Sequence, residues 1–570
     1  MAELTAWLRR AGVTRGDAVG LVVAPGTASL VAAALPSGET WTGADPGEAG
    51  IADAGLRPRW VVWSNATAAA CAAAGVRLAT CWDIAAVHRM LRGGWRADPA
   101  HVWGCLHGLA TGPVAAPAGP DLFDLTDESD DPVGPEGQLR SSWANGEWAA
   151  SPARMARWAS LAAEVASLQR AALARIAAEA DRPMIGPVAM SESAAELLCA
   201  ELSADGLPMD RARAEELLAG LIGPRPRNDA EALRLRAERD QIVLRHLPAG
   251  TAADLRSPGQ VKDLLGKMGI DVPDTRAPRL RELRDKYPLV DALLEWRKAE
   301  RIATTYGYGW LDAHLGPDGR LRGEWTGCDG AAGRMTASAG LHNMPSVLRA
   351  AVLAEPGHVL VRADLGQIEP RVLAAVSGDS ALASATQSDD LYAPVAEALN
   401  VSRPVAKVAV LGAMYGQTTG HGAVALRRLT AAYPVAMAYL DAGDRAGQAA
   451  RDLRTYGGRL VPMSRGTGPD TPARAAARGR YGRNALVQGA AAEFFKMWAV
   501  TVRARAGSLD ARIVLCLHDE LLLQAPASAG AEAARLVEDC LRETASRWAT
   551  GTRVRFIADA RILTAWSDAK

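Results

Sequence analysis

Val361-Arg362-Ala363-Asp364-Leu365-Gly366-Gln367-Ile368-Glu369-Pro370-Arg371 reads as a strand that hands its chain to a helix. The apolar run from His358 to Val361 delivers one carboxylate, Asp364, and Gly366 turns the chain into a helical stretch carrying Gln367, Glu369 and Arg371. Alone, an Asp at a strand end is as a rule a turn or helix-cap residue. Its meaning depends on what else the chain brings to it.

A second acidic site lies in Ile513-Val514-Leu515-Cys516-Leu517-His518-Asp519-Glu520-Leu521-Leu522-Leu523. Apolar runs on both sides of His-Asp-Glu predict a hairpin whose tip displays two acids, which are costly there unless paired or metal-bound. Beside the strand of Asp364, this hairpin would let Asp364 and Asp519 bridge two divalent cations. One would activate an attacking hydroxyl and the other neutralise a leaving pyrophosphate. A third piece is the helix predicted from Ser402, an N-cap residue type, through Pro404 in the first turn to Gly416. Arg403, Lys407, Leu411 and Tyr415 recur every fourth residue along one face, suited to phosphates first and then sugar and base.

With 570 residues, of which 49% are hydrophobic and 22% charged, the chain has the composition of a globular protein with three or four compact units. Lys+Arg and Asp+Glu both total 64, so any nucleic-acid partner must be held by local patches. The seven cysteines are scattered, with no CxxC, and are read as forming no Cys/His metal cluster, which argues for a reducing compartment and against a structural zinc. No apolar h-region follows the N-terminus and no 18-residue apolar span occurs, so a cytoplasmic protein without a membrane partner is expected.

Along the chain, β-branched runs at 18–35 and 58–64 and helical stretches at 66–74 and 84–91 predict a mixed α/β unit. A Pro/Gly-rich acidic stretch, Gly112 to Glu136, reads as a solvated loop, and an amphipathic helix spans Ser151 to Ala180. Long helices occupy 191–305. Strand signals return at 321–325, 359–363, 512–517 and 521–524, with an Arg-rich helical region between the pairs. Arg451, Arg454, Arg459, Arg465, Arg474, Arg478, Arg480 and Arg483 crowd that region, and a phosphate-facing track is the favoured reading.

Together the three pieces resemble the family A DNA polymerases, the class of bacterial DNA polymerase I. Asp364-Leu-Gly-Gln-Ile-Glu-Pro-Arg looks like motif A, Arg403-x3-Lys407-x7-Tyr415-Gly416 like motif B on the fingers helix, and His518-Asp519-Glu520 like motif C. Supporting segments are Gly333-Arg334, Leu341-His342-Asn343-Met344-Pro345, Arg480-x3-Asn484-x3-Gln488-Gly489, Leu255-Arg-Ser-Pro-Gly-Gln and Thr304-Thr305-Tyr306. The resemblance implies an α+β protein. A degenerate ribonuclease H-like α/β domain at 1–182 would precede a right-hand polymerase, with a helical thumb at 183–320, an antiparallel palm at 321–400 and 485–570, and helical fingers at 401–484.

The same resemblance implies a template-directed DNA polymerase that uses two Mg²⁺ ions, with Mn²⁺ as a substitute. Asp364, Asp519 and the Leu365 carbonyl would be ligands, supported by Glu520. Arg403 and Lys407 would grip the incoming dNTP, with Leu411, Tyr415, Gln367 and Tyr392 beside it, and Glu369 would exclude a 2′-hydroxyl. Arg334, Asn343, Arg480, Asn484, Gln488 and His518 would contact primer-template DNA. A monomer acting on the nucleoid is implied, with no room ahead of residue 1 for the 5′ nuclease domain some relatives carry.

Several positions depart from the family pattern. Leu411 stands where Phe or Tyr is usual, Pro404 replaces an Arg, Leu365-Gly366 replaces Tyr-Ser, and Tyr392 falls where many relatives have His. Arg362, two residues before Asp364, shares its strand face and can pair with it or with a phosphate. The N-terminal unit lacks the four carboxylates of a 3′–5′ exonuclease, and Asp83 reads as a helix cap, so proofreading is expected to be absent. Two rivals remain: a non-catalytic primer-template scaffold, and a gap-filling or lesion-bypass polymerase with relaxed nucleotide selection.

Overall fold

The computed structural model describes residues 3–24, 30–112, 130–179, 182–248, 250–251, 253–416, 422–463 and 469–569. Most of the predicted acidic loop, and Arg465, lie outside them. The chain forms two compact units: residues 1–205, 324–337 and 357–562 make the first, and 206–323, 338–356 and 563–570 the second.

The first unit opens with a five-stranded sheet of β1 (Ala18–Val23), β2 (Val31–Ala34), β3 (Thr40–Gly43), β4 (Arg59–Val62) and β5 (Cys81–Asp83), in the order β3-β2-β1-β4-β5. The first three strands are antiparallel and β1-β4-β5 are parallel, the pattern expected of a ribonuclease H-like α/β sheet. α1 (Asn65–Ala73), α2 (Ile84–Arg92) and α3 (Pro99–His107) follow its strands. α4 (Pro152–Glu179) and α5 (Ile185–Asp205) pack on the same sheet. Val19, Leu21, Trp60, Val62 and Leu197 form part of one core. Asp83 is an N-cap, its carboxylate accepting from the Ala86 N–H at 2.8 Å. Trp158 stacks on Trp63 with centroids 4.4 Å apart.

A second, antiparallel sheet carries the acids. β6 (His358–Leu365), β7 (Arg512–Cys516), β8 (Glu520–Pro526) and β9 (Ala558–Leu563) lie in the order β7-β8-β6-β9. Register runs from His358 opposite Pro526 to Asp364 opposite Glu520. α6 (Ile368–Ser377), α7 (Tyr392–Leu399), α8 (Arg403–Tyr415), α9 (Pro434–Gln448) and α10 (Pro472–Ala506) follow β6, and α11 (Gly530–Trp548) follows β8. The 35-residue α10 is buried along most of its second half. It meets α9 so closely that a Cβ at Gly447 would lie 2.3 Å from the Arg478 carbonyl oxygen.

The second unit is mainly helical, with a core that includes Val243, Leu255, Val261, Leu265, Val290 and Trp296. Among the described residues no helix is long and apolar enough to cross a membrane. The α+β class stands.

Candidate active site

β6 carries Asp364 near its C-terminal end, where its neighbour on β8 is Glu520 and the β7–β8 turn supplies Asp519. The Leu365 N–H donates to the Asp519 carbonyl oxygen at 2.7 Å, and Gly366 N–H to Ile557 oxygen at 3.1 Å, so the elbow is pinned on both sides. Asp519 is exposed at the hairpin tip. Glu520 is instead the buried first residue of β8. Loss of water around Asp364, then the charge of Asp519, pushes its carboxyl up to about 6. Asp519 is raised by the same desolvation and by Glu520. Asp559, on β9, adds to the negative field at Asp364 although nothing in the sequence pattern marked it.

Arg362 answers two of these acids. Arg362 Nη2 donates to Asp364 Oδ2 at 2.9 Å and to Glu520 Oε2 at 2.6 Å. One guanidinium among three carboxylates leaves a negative surplus, and these oxygens suit Mg²⁺. The donor set therefore fits the metal.

The strand-to-helix elbow is held from outside. Gln367 adopts φ 55°, a left-handed conformation that costs a non-glycine residue. Its amide bridges Asp390 Oδ1 at 2.9 Å and the Leu391 N–H at 2.8 Å. Arg371, four residues later, is fully buried and donates to five carbonyl oxygens, those of Gly366, Thr386, Ser388, Asp389 and Arg555. Sequence gave it no role, since a helix pattern does not reveal which loops will close over an arginine.

α8 presents Arg403 and Lys407 to solvent and buries Ala406, Ala409, Val410, Ala413 and Met414. Ser402 is its N-cap residue, without a side-chain cap bond. Arg403 is tied to Asp390, with Nη2 to Oδ1 at 3.1 Å, and lies 5.8 Å over the Tyr392 ring. Lys407 has no ion pair among the described residues.

Beyond the acids a cavity of about 380 Å³ is lined by Arg334, Gln367, Glu369, Tyr392, Leu411, Tyr415, Gln488, His518 and Asp519, with four further residues. Glu369 accepts from Arg334 at 3.2 Å and from the Tyr415 hydroxyl at 3.3 Å, and Gln488 Nε2 reaches that hydroxyl at 3.1 Å. Desolvation, then Arg334, lowers the His518 pKa. Arg480 is exposed on α10, and Asn484 Oδ1 is buried with no hydrogen-bond partner among the described residues. Asn343 belongs to the second unit, on the 3-10 turn Leu341–Asn343. There too, a cavity of about 1070 Å³ is lined by Arg256, Pro258, Lys262, Arg301 and Thr304.

The arginine track survives folding only in part. Arg459 is 2% exposed and bound to Glu192, Arg483 pairs with Asp441 at 2.7 Å, and Arg478 pairs with Asp470 at 2.6 Å. Arg454 is spent on the carbonyls of Gly458 and Leu91. Arg451, Arg474 and Arg480 remain exposed. Another correction concerns metal-ligand side chains: His101 and Cys105 stand four residues apart in the sequence, and the fold adds His88 to make a His/Cys cluster in space.

Residues 232–568 match the sequence family described as DNA polymerase family A. The chain belongs to DNA polymerase family A. This family A chain is 32% identical to DNA polymerase I of Chloroflexus aurantiacus over 338 residues, covering 51% of the chain and 36% of that relative. It is 29% identical to the thermostable DNA polymerase I of Thermus aquaticus over 299 residues, 47% of the chain and 35% of the relative. With DNA polymerase theta of Caenorhabditis elegans it shares 26% over 354 residues, 56% and 21% of the two chains. The family A chain thus spans about a third of the length of the DNA polymerase I relatives it matches. Its fold is similar to that of the POL domain of Pol1 from M. smegmatis, solved with DNA primer-template and dNTP. The TM-score is 0.70 at 22% identity, covering 100% of this chain and 98% of that one.

Proposed function

We propose that this protein is a template-directed DNA polymerase that adds deoxynucleoside monophosphates to a primer 3′ end. The observation that carries the reading is the convergence of Asp364, Asp519 and Glu520, with Asp519 also lining the cavity that Glu369, Tyr392, Leu411, Tyr415, Gln488 and His518 share. The DNA primer-template and dNTP held by the M. smegmatis domain are the ligands it would take. Asp364, Asp519 and the Leu365 carbonyl would hold two Mg²⁺ ions, which when bound supply activation of the 3′-hydroxyl and charge neutralisation of the leaving pyrophosphate. Arg403 and Lys407 hold the triphosphate as clamps whose charge matches its redistribution in the transition state. To do so Arg403 exchanges Asp390 for phosphate. Glu369, braced by Arg334 and Tyr415, walls off a 2′-hydroxyl. Arg334, Asn343, Arg480, Asn484, Gln488 and His518 are read as contacts to primer and template.

In this reading 183–320 is the thumb, 321–400 with 485–570 the palm, and 401–484 the fingers. The protein works as a monomer on nucleoid DNA in the cytoplasm. The N-terminal domain does not proofread: Asp83 spends its carboxylate on the α2 cap, and β1 carries no acid. A non-catalytic scaffold draws support from Arg362, which occupies the acids. Primer extension with one labelled dNTP and Mg²⁺ decides between them. Wild type should extend and Asp364→Ala or Asp519→Ala should not, with their far-UV circular dichroism unchanged. Undiminished extension by either variant refutes the site, and an inert wild type favours the scaffold.

A further inference from the structure

The N-terminal part of the first unit groups a second set of side chains of metal-ligating type, chemically unlike the carboxylates around Asp364. His88 of α2 and His101 and Cys105 of α3 bring two imidazoles and a thiol together, their ligand atoms within 4.8 Å of one another. His101 and Cys105 are four residues apart, so one face of α3 presents both. Cys105 Sγ lies 3.6 Å from His101 Nε2, and the His88 and His101 rings meet edge-on with centroids 5.2 Å apart. Asp98 caps α3 by accepting from the His101 N–H at 3.0 Å, which fixes the helix end that carries the ligands.

His88 supplies the decisive observation. It is 1% exposed, and its Nε2 has no hydrogen-bond partner among the described residues. Buried polar atoms are as a rule satisfied, and an imidazole lone pair is the commonest metal donor. In a tetrahedral site with Zn–N of about 2.0 Å and Zn–S of about 2.3 Å, ligand atoms lie roughly 3.3–3.8 Å apart. The observed spacing needs only a small closure of side chains to reach that. Imidazole and thiolate select borderline-soft cations over Mg²⁺, which prefers oxygen. His101 and Cys105 are only partly buried and leave a path for entry.

We propose that His88, His101 and Cys105 bind one divalent cation of the Zn²⁺ class, solvent completing the coordination, and that the ion clips α2 to α3. On binding, the Cys105 S–H bond breaks, an S–metal bond forms, and the proton passes to solvent.

The test uses the full chain, stripped with a chelator and titrated with Co²⁺ alone. One equivalent should produce a thiolate-to-cobalt charge-transfer band together with the visible bands of a four-coordinate ion, and Zn²⁺ should bleach both. Cys105→Ser should abolish the charge-transfer band, and His88→Gln should weaken Co²⁺ binding about tenfold or more. Asp364→Ala should leave the band intact, separating this site from the carboxylates. Zn²⁺ should raise the Tm of the stripped wild type but not that of His88→Gln. Absence of the band in wild type at micromolar Co²⁺, or its survival in Cys105→Ser, overturns the proposal.

Discussion

Arg362 on β6 reaches across the sheet to Glu520 on β8 at 2.6 Å, and the same nitrogen contacts Asp364 at 2.9 Å. A permanently charged side chain thereby sits among the carboxylates proposed to hold metal. It competes with a cation for Asp364 at the cost of a partly exposed ion pair, worth about 1 kcal/mol. Arg362→Ala should therefore lower the Mg²⁺ concentration for half-maximal extension about three- to tenfold. Mn²⁺ binding followed by electron paramagnetic resonance should tighten in parallel, without reference to turnover. An unchanged Mg²⁺ requirement would show that Arg362 serves another group, such as a phosphate.

Glu369 joins Arg334 to Tyr415 at the cavity wall. Its loss opens space and releases the tyrosine, so Glu369→Ala should admit ribonucleotides. The ratio of dNTP to rNTP incorporation in single-nucleotide extension should fall about 10- to 100-fold, the scale on which a pocket discriminates one hydroxyl. A ratio that stays constant would remove Glu369 from the sugar-gate role.

Arg371 donates to five carbonyls around the elbow. An ammonium has too few donors and no fork geometry for this arrangement. Arg371→Lys should lower stability by about 3 kcal/mol or more, since several buried acceptors lose their partners at once. Chemical denaturation of the two proteins measures it. A change under about 0.5 kcal/mol, the range of an ordinary surface substitution, would contradict a structural hub.

Burial pushes Glu493 up to about 7, against hydrogen bonds from Thr455 and Gly457. Unfolded, the group titrates near ~4.3. The folded state thus retains the proton between these values, and the associated stability is full below ~4.3 and lost as pH rises through about 7. Glu493→Gln keeps both hydrogen bonds, with its amide donating to Thr455 and accepting from Gly457. It should be about 2–3 kcal/mol more stable than wild type at pH ~8 and equal near pH ~4.5. Urea unfolding at the two pH values reads the difference, and a gain independent of pH would refute the titration.

Local patterns were sufficient wherever the relevant forces are local. The strand ending in Asp364, the hairpin of Asp519 and Glu520 and the helix of Arg403 to Tyr415 are written in alternation, turn chemistry and four-residue spacing, and each occurs in the structure. Their ordered motifs also carried the family, and Asp83 could be read as a cap because a cap is settled within three residues. Arginines are different: their charge is visible in sequence, but their partners are not. Arg459 is swallowed by Glu192, 267 positions away, and Arg371 by loops that only folding brings near. His88 and the His101–Cys105 pair likewise meet only because α2 and α3 pack, although twelve residues separate the two histidines. Sequence alone determined which acids end the strands and which helix follows them. Tertiary structure decided which charges face water, which neutralise each other, and that Arg362 stands among the acids, because long-range pairing and desolvation are properties of the packed chain.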